Sequence, residues 1–391
     1  MSNGASEIRP IMRELSAGLQ RREAQMVRLL GRFVRCESPS HDKPSVDRMA
    51  RLVGAEWRRR GAKVTTIPQR HRGNHVRAEV WLGTGRPRGQ ILVLGHLDTV
   101  YPRGTLGSMP FRISGGRAWG PGTFDMKGGL VIALAAVDAL RSAGLRPRKR
   151  LVFLWNSDEE IDSKSSRRFI EREAKRSDAV LVLEPAYGPA GRLKTARKGV
   201  GTAEITVTGR AAHAGLDPEA GINAIHELAL QTARLMKMND PRRGITVQVT
   251  VADGGTVSNV VPDSAKAQVD LRISKLADAA RLERKLRSLR PVLKGARIQV
   301  TGGINRPPLE RTPAVRDLFR RAKNLMSEIG VPLDECFAGG GSDGNFTAAL
   351  GIPTLDGLGA VGDGAHSSRE HVITRSLPKR AALLAGLLLI H

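Results

Sequence analysis

The chain has 391 residues, and its 63 Lys and Arg against 38 Asp and Glu leave a net charge of +25. Hydrophobic residues make up 40% and charged residues 26%, proportions that exclude a disordered polycation and allow a sizeable core spread over two or three domains. Aromatic residues at 4% argue against a single-strand binder that works by base stacking. The basic residues, 48 of them Arg, are dispersed and form no tail. The runs 58–60 and 146–150 read as solvated helix ends and turns.

Cys36 and Cys336 cannot build a disulfide framework or a four-thiolate zinc site. Residues 1–25 contain no apolar core of the signal-peptide kind. The longest apolar stretch, 381–390, is interrupted by Gly386 and too short for a bilayer. The expectation is a cytoplasmic protein with no membrane segment.

In chain order, 14–35 and 45–60 read as amphipathic helices. Continuous apolar runs rich in Val, Ile and Leu follow at 90–95, 151–155, 179–183 and 352–355, with a helix at 130–140 after Asp125. Continuous apolarity marks strands buried on both faces, hence an α/β domain with a mostly parallel central sheet. The middle differs: 203–208 alternates as a half-buried strand, 221–238 is helical, 245–251 and 265–273 are strands, 277–292 is a charged amphipathic helix and 296–301 a strand. This is a β-α-β-β-α-β order, the ferredoxin-like split βαβ unit. It divides the chain into a discontinuous domain, 1–194 and 306–391, and an inserted domain, 195–305.

The chemistry-bearing residues sit at the ends of the apolar runs. His96 and Asp98 are two apart where the 90–95 strand ends, so both side chains face one way, in the crevice where open α/β sheets place ligands. Asp125 lies between Gly120, Gly122, Gly128 and Gly129, which permit a backbone path delivering its carboxylate into a crevice; an N-cap is its ordinary alternative. Asp158, Glu159 and Glu160 are three successive acids at a strand exit, and their repulsion calls for a cation nearby. Glu184 closes the 179–183 run, and His366 lies in Gly362-Asp363-Gly364-Ala365-His366. Two histidines with several carboxylates and no thiolate suit a pair of Zn²⁺ or similar divalent ions with a bridging carboxylate.

Together with Gly209-Arg210-Ala211-Ala212-His213-Ala214-Gly215, these motifs resemble peptidase family M20, the co-catalytic dizinc aminoacylases and carboxypeptidases, and within it the glutamate carboxypeptidase (carboxypeptidase G2-like) branch. The resemblance covers nearly the whole chain from about Arg22. It implies a zinc-exopeptidase-like catalytic domain interrupted by a ferredoxin-like dimerisation domain, and two Zn²⁺ per subunit, with Co²⁺ or Mn²⁺ as alternatives. Asp125 would bridge the ions, His96 and Glu184 would complete one site, and Glu160 and His366 the other. Asp98 would accept from the His96 ring and fix its tautomer. Glu159 would be the general base. The bond after Asp125 is commonly cis in the family.

His213 would reach the partner subunit's active site in a homodimer and support the oxyanion. Asn259 and Arg272 match positions that hold substrate, Arg272 offering a fork for a carboxylate. Gly340, in the run Gly339-Gly340-Gly341, matches a loop that approaches the substrate carboxyl end, and Arg192 and Arg306 are candidate contacts for a glutamyl side chain. Trp119 and Asp162 stand where the family commonly has tyrosine and glycine. His41, His71, His75, His226, His371 and His391 read as surface or packing residues.

The implied reaction is hydrolysis of an amide bond in a small peptide or N-acyl amino acid, releasing a C-terminal amino acid, glutamate foremost. N-acyl-amino-acid deacylase or dipeptidase activity is the alternative on the same scaffold. A polyanion- or nucleic-acid-binding protein, suggested by the +25 charge, is the alternative of another class, and the dispersed basicity argues against it.

Overall fold

The computed structural model describes residues 3–391, with side chains from Ile8 onward. They form two compact units: one runs to Ala196 and takes up Arg311–Ala338 and Ser342–His391, the other comprises Arg197–Glu310 and Gly339–Gly341.

The first unit is built on a six-stranded sheet in the order Lys63–Ile67, His75–Val80, Arg150–Asn156, Gln90–His96, Ala179–Val182, Thr354–Leu355. The last four strands run parallel to one another. The first two form an antiparallel edge. Gln90–His96 is buried at every position, as continuous apolarity requires. Ile91 and Val93 face the larger core, whereas Leu92 and Leu94 face a smaller one with Ile170, Ala174 and Phe346. Helices therefore cover both faces.

The apolar stretch 381–390 belongs to the helix Ser376–Ile390, buried along most of its length against the helix Gly128–Ser142. Among the described residues no helix is long and apolar enough to cross a membrane. The expected helix 14–35 is two helices, Asn3–Gln20 and Glu23–Val34. Both pack on the pair Gly128–Ser142 and Ser376–Ile390, the first mainly on Ser376–Ile390. A break at Arg21-Arg22 separates them.

The second unit is a four-stranded antiparallel sheet in the order Thr246–Gly254, Ser264–Ile273, Gly199–Thr208, Arg297–Arg306. The helices Ala224–Met236 and Ala277–Arg287 bury Leu228 and Leu282 in a core with Ile205, Val207, Val269 and Leu271. Burial alternates along Ser264–Ile273, so one sheet face carries the core and the other is open. The connectivity is β-α-β-β-α-β. The second helix stops at Arg287, short of the expected 292, because Pro291 lacks an N–H and restricts the residue before it. Arg306 ends the Arg297–Arg306 strand, and an Arg197 to Leu309 bridge extends this unit to Glu310, a few residues past the expected boundary.

Candidate active site

Three parallel neighbours deliver acids and a histidine to one sheet edge. His96 is the last residue of its strand and lies in register with Asn156. Glu159–Ile161 is a single 3₁₀ turn just beyond Asn156, and Glu184 follows Ala179–Val182 by two residues. The Asp125 carboxylate comes from the loop before the helix Gly128–Ser142. That loop turns at Gly122, where φ is 71° and an added Cβ would sit 2.6 Å from Thr99 Cγ2, so only glycine fits. The Asp125–Met126 peptide is cis. His366 itself adopts a left-handed φ of 60°, uncommon outside glycine and a mark of a constrained site.

The two oxygens of Asp125 divide the site. Oδ1 lies 3.2 Å from His96 Nε2, which is 3.6 Å from Glu184 Oε1. Oδ2 lies 3.3 Å from His366 Nε2, which is 3.3 Å from Glu160 Oε2. Ligands bound about 2.0–2.2 Å from a tetrahedral ion stand about 3.4 Å apart, so these separations are those of donor atoms around a cation. His96, Glu159 and Glu184 place one ligand-type atom each within 4.8 Å of one another, and so do His96, Asp125 and Glu160. Glu160 Oε1 is buried with no hydrogen-bond partner, a cost that a cation would remove. Nitrogen and oxygen donors, an orphaned carboxylate oxygen and ligand-like spacing fit divalent ions of the Zn²⁺, Co²⁺ or Mn²⁺ type.

Electrostatics agree. Burial alone would raise the Asp125 pKa, but hydrogen bonds from His366 and His96 outweigh it and hold the carboxyl well below its usual range. Hydrogen bonds to Asp125 and Glu160 push His366 up to about 10. Burial opposes charge on His96, yet Asp125 and Asp98 raise its pKa well above that of free imidazole. The cluster draws positive charge to itself.

Asp98 plays a broader part than the sequence suggests. His96 Nδ1–H donates to the Asp98 main-chain carbonyl at 2.9 Å, with Oδ1 farther off at 3.5 Å. This bond leaves the Nε2 lone pair facing the site. The Asp98 carboxylate accepts from the backbone N–H groups of Glu159 and Glu160 at 3.3 and 3.2 Å and from Ser40 Oγ at 2.7 Å. It thus aims the two glutamates.

Sequence reasoning passed over Glu370. Fully buried, it accepts backbone N–H bonds from Gly122, Phe124 and Asp125 at 2.9, 2.8 and 2.9 Å. Tyr101 Oη donates to the Ser367 carbonyl at 3.0 Å, tying down the His366 loop. The available signal was the glycine loop itself, whose N–H groups need an acceptor. Glu370→Ala should destabilise the chain by about 3 kcal/mol or more, since a buried donor left unpaired costs about 1–3 kcal/mol; Glu370→Gln should recover part of that. Urea unfolding of both variants is the check, and equal loss in the two would refute the hydrogen-bonding role.

His75 is buried rather than superficial. Its Nδ1 lies 2.9 Å from Ser157 Oγ and its Nε2 3.4 Å from Ser165 Oγ, which donates to Asp158 at 2.8 Å. This network backs the turn that carries Glu159 and Glu160. Asp162 has a φ of 77°, which explains why glycine is common there. Trp119 packs on His371 with ring centroids 4.4 Å apart.

The remaining candidates are distributed between the units. Arg192 is exposed in the first, its guanidinium 5.8 Å from the Tyr187 ring centre. In the second, His213 is exposed, and its Nδ1 accepts from the backbone N–H groups of Gly215 and Leu216 at 3.1 and 3.0 Å. The proton of the neutral ring is therefore on Nε2, available as a donor. Asn259 lies beside it, its carbonyl accepting from Ala214 N–H at 2.9 Å. The Nε–Nη2 edge of Arg272 is occupied by Asp270, with its shortest contacts at 2.8 Å. Arg306 is buried. The Gly340 carbonyl accepts from Arg197 Nη1 at 3.0 Å.

Fold and site define a metal-dependent hydrolase. Residues 92–390 match the model of peptidase family M20/M25/M40, and the chain belongs to that family. Carboxypeptidase G2 of Pseudomonas sp. (strain RS-16) is 31% identical over 370 residues, covering 93% of this chain and 88% of the relative. Succinyl-diaminopimelate desuccinylase of Dechloromonas aromatica (strain RCB) is 29% identical over 337 residues, 79% of this chain and 85% of the relative. Among solved structures, aminopeptidase PepT of Bacillus cereus matches with a TM-score of 0.75 and 21% identity over 94% of this chain and 98% of that one. The YXEP protein of Bacillus subtilis, a dinuclear metal binding M20 peptidase, matches with a TM-score of 0.67 and 15% identity over 94% and 98% of the two chains. These two likenesses establish the fold.

Proposed function

We propose that the chain hydrolyses an amide bond in a small peptide or N-acyl amino acid and releases the C-terminal amino acid, glutamate foremost. The observation that carries this reading is the Asp125 carboxylate, each of whose oxygens faces a different histidine and glutamate. His96, Asp125 and Glu184 would hold one divalent cation, and Asp125, Glu160 and His366 a second. Such ions supply Lewis-acid polarisation of the scissile carbonyl and a water of lowered pKa. Glu159 takes the proton of the attacking water and returns it to the leaving amine. Asp98 keeps Glu159 and Glu160 apart in direction through their backbone N–H groups.

In the same reading the unit 197–310 mediates a homodimer. Its support is an exposed apolar set, with Leu216 83%, Val257 58% and Val251 53% exposed, and the open edge strand Thr246–Gly254. His213 of one subunit would donate from Nε2 to the developing oxyanion in the other. Asn259, Arg272, Gly340, Arg192 and Arg306 are the proposed substrate contacts. Arg272 exchanges its Asp270 partner for a substrate carboxylate or offers its remaining edge.

Acyl-amino-acid deacylation is the second reading, favoured by the similarity to a desuccinylase. A panel of acyl-glutamate, acyl-aspartate, acyl-arginine and dipeptide substrates separates the two. The glutamate reading expects the highest kcat/KM on acyl-glutamate, and a value no higher than for neutral residues refutes it. Sedimentation that finds a fully active monomer removes the role given to His213.

A further inference from the structure

The first unit contains a second concave site, and none of the acidic centre's residues line it. This cavity of about 200 Å³ is lined by Met326, Leu333 and Val361 among its apolar residues and by Arg375, Lys379 and Arg380. Arg380 is only 3% exposed. Its Nε donates to the Gly359 carbonyl at 2.9 Å, Nη1 to that of Gly191 at 3.1 Å and Nη2 to that of Gly357. All three partners are neutral, and a guanidinium has five N–H groups.

Among the described residues no carboxylate pairs with Arg380, Lys379 or Arg375, whereas the partly buried Arg60 and Arg77 each have two. Burial of Arg380 without a counter-charge pulls its pKa down. A buried cation without a counter-ion is among the costlier arrangements in a protein.

We propose that this cavity binds a small organic anion, a carboxylate with a short branched aliphatic tail. The carboxylate meets Lys379 and Arg380, and the tail covers Met326, Leu333 and Val361. The apolar part of the lining is why the ligand is not inorganic phosphate, which would leave Met326, Leu333 and Val361 facing a charged, hydrated group. The modest volume favours a ligand well below drug size.

Isothermal titration of the full-length, zinc-loaded protein with 4-methylpentanoate tests the site, with 4-methylpentanamide and acetate as the uncharged and tail-less controls. The expected result is saturable binding of 4-methylpentanoate, with each control weaker by about tenfold or more. Ala190→Trp fills the cavity from an exposed turn and should abolish binding. Lys379→Glu should weaken it by about tenfold or more, and both variants should keep hydrolytic activity. If Ala190→Trp does not melt cooperatively, Lys379→Glu decides alone. The proposal is overturned by no saturation up to about 10 mM, by equal binding of the amide, or by binding that survives the substitutions, which would assign the carboxylate to the acidic centre.

Discussion

Glu159→Gln should retain its metal and lose turnover by about 10²–10⁴-fold, the usual contribution of a positioned general base. The side chain stands among the ligand atoms, within 4.8 Å of those of His96 and Glu184. Its backbone N–H is fixed by Asp98 Oδ1 at 3.3 Å, a bond the substitution leaves intact. Glutamine keeps the shape and removes the proton acceptor. The expected signature is therefore a fall in kcat with metal content by elemental analysis and melting temperature both unchanged. Near-normal kcat in a metal-replete Glu159→Gln protein would falsify the assignment. A variant that also loses metal would show instead that Glu159 is a ligand.

Asp125→Ala should have the larger structural effect. One carboxylate serves both halves of the centre, so its removal opens both at once and leaves Glu160 and Glu184 beside histidines with no bridge between them. Metal content should fall from about two to below one ion per chain, with activity at background. Ligand binding stabilises the native state by about 4 kcal/mol at a free concentration about 1,000 times Kd. Chelation should accordingly lower the melting temperature of the parent chain and leave that of Asp125→Ala unchanged. A chelator-sensitive Asp125→Ala protein, or a parent whose melting ignores chelation, would contradict the bridging role.

The parts of the fold visible in the sequence are those where one local pattern decides the structure. Gln90–His96, Arg150–Asn156 and Ala179–Val182 are buried on both faces, so apolarity runs unbroken through them. Lys63–Ile67 is a short edge strand of KVTTI, mostly exposed, and nothing in its composition separates it from a loop. The break between Asn3–Gln20 and Glu23–Val34 was hidden because the helical period continues through Arg21-Arg22.

The same distinction holds at the site. His96, Asp125, Glu160, Glu184 and His366 stand at strand ends or in glycine-rich loops, where an acid or histidine is conspicuous. Glu370, His75 and Arg380 act through bonds to main-chain groups or hydroxyls far away in sequence, such as Glu370 to Asp125 across 245 residues. No spacing rule exposes such pairs. The +25 charge gave no guide either, since the acidic centre and the unpaired cations of the second cavity both depend on local burial.

The interruption of the first unit by residues 197–310 sets an order of assembly on a ribosome that delivers the chain from its N-terminus. When residue 310 has emerged, the strands Gly199–Thr208, Thr246–Gly254, Ser264–Ile273 and Arg297–Arg306 are all present, and their shared core can close. At that moment the larger sheet still lacks Thr354–Leu355, and the helix Gly128–Ser142 lacks its cover, Ser376–Ile390. The acidic centre has one histidine and waits for the other. The nascent chain therefore carries an incompletely covered apolar helix and a half-built cation site through about the last fifth of its synthesis, a state prone to aggregation.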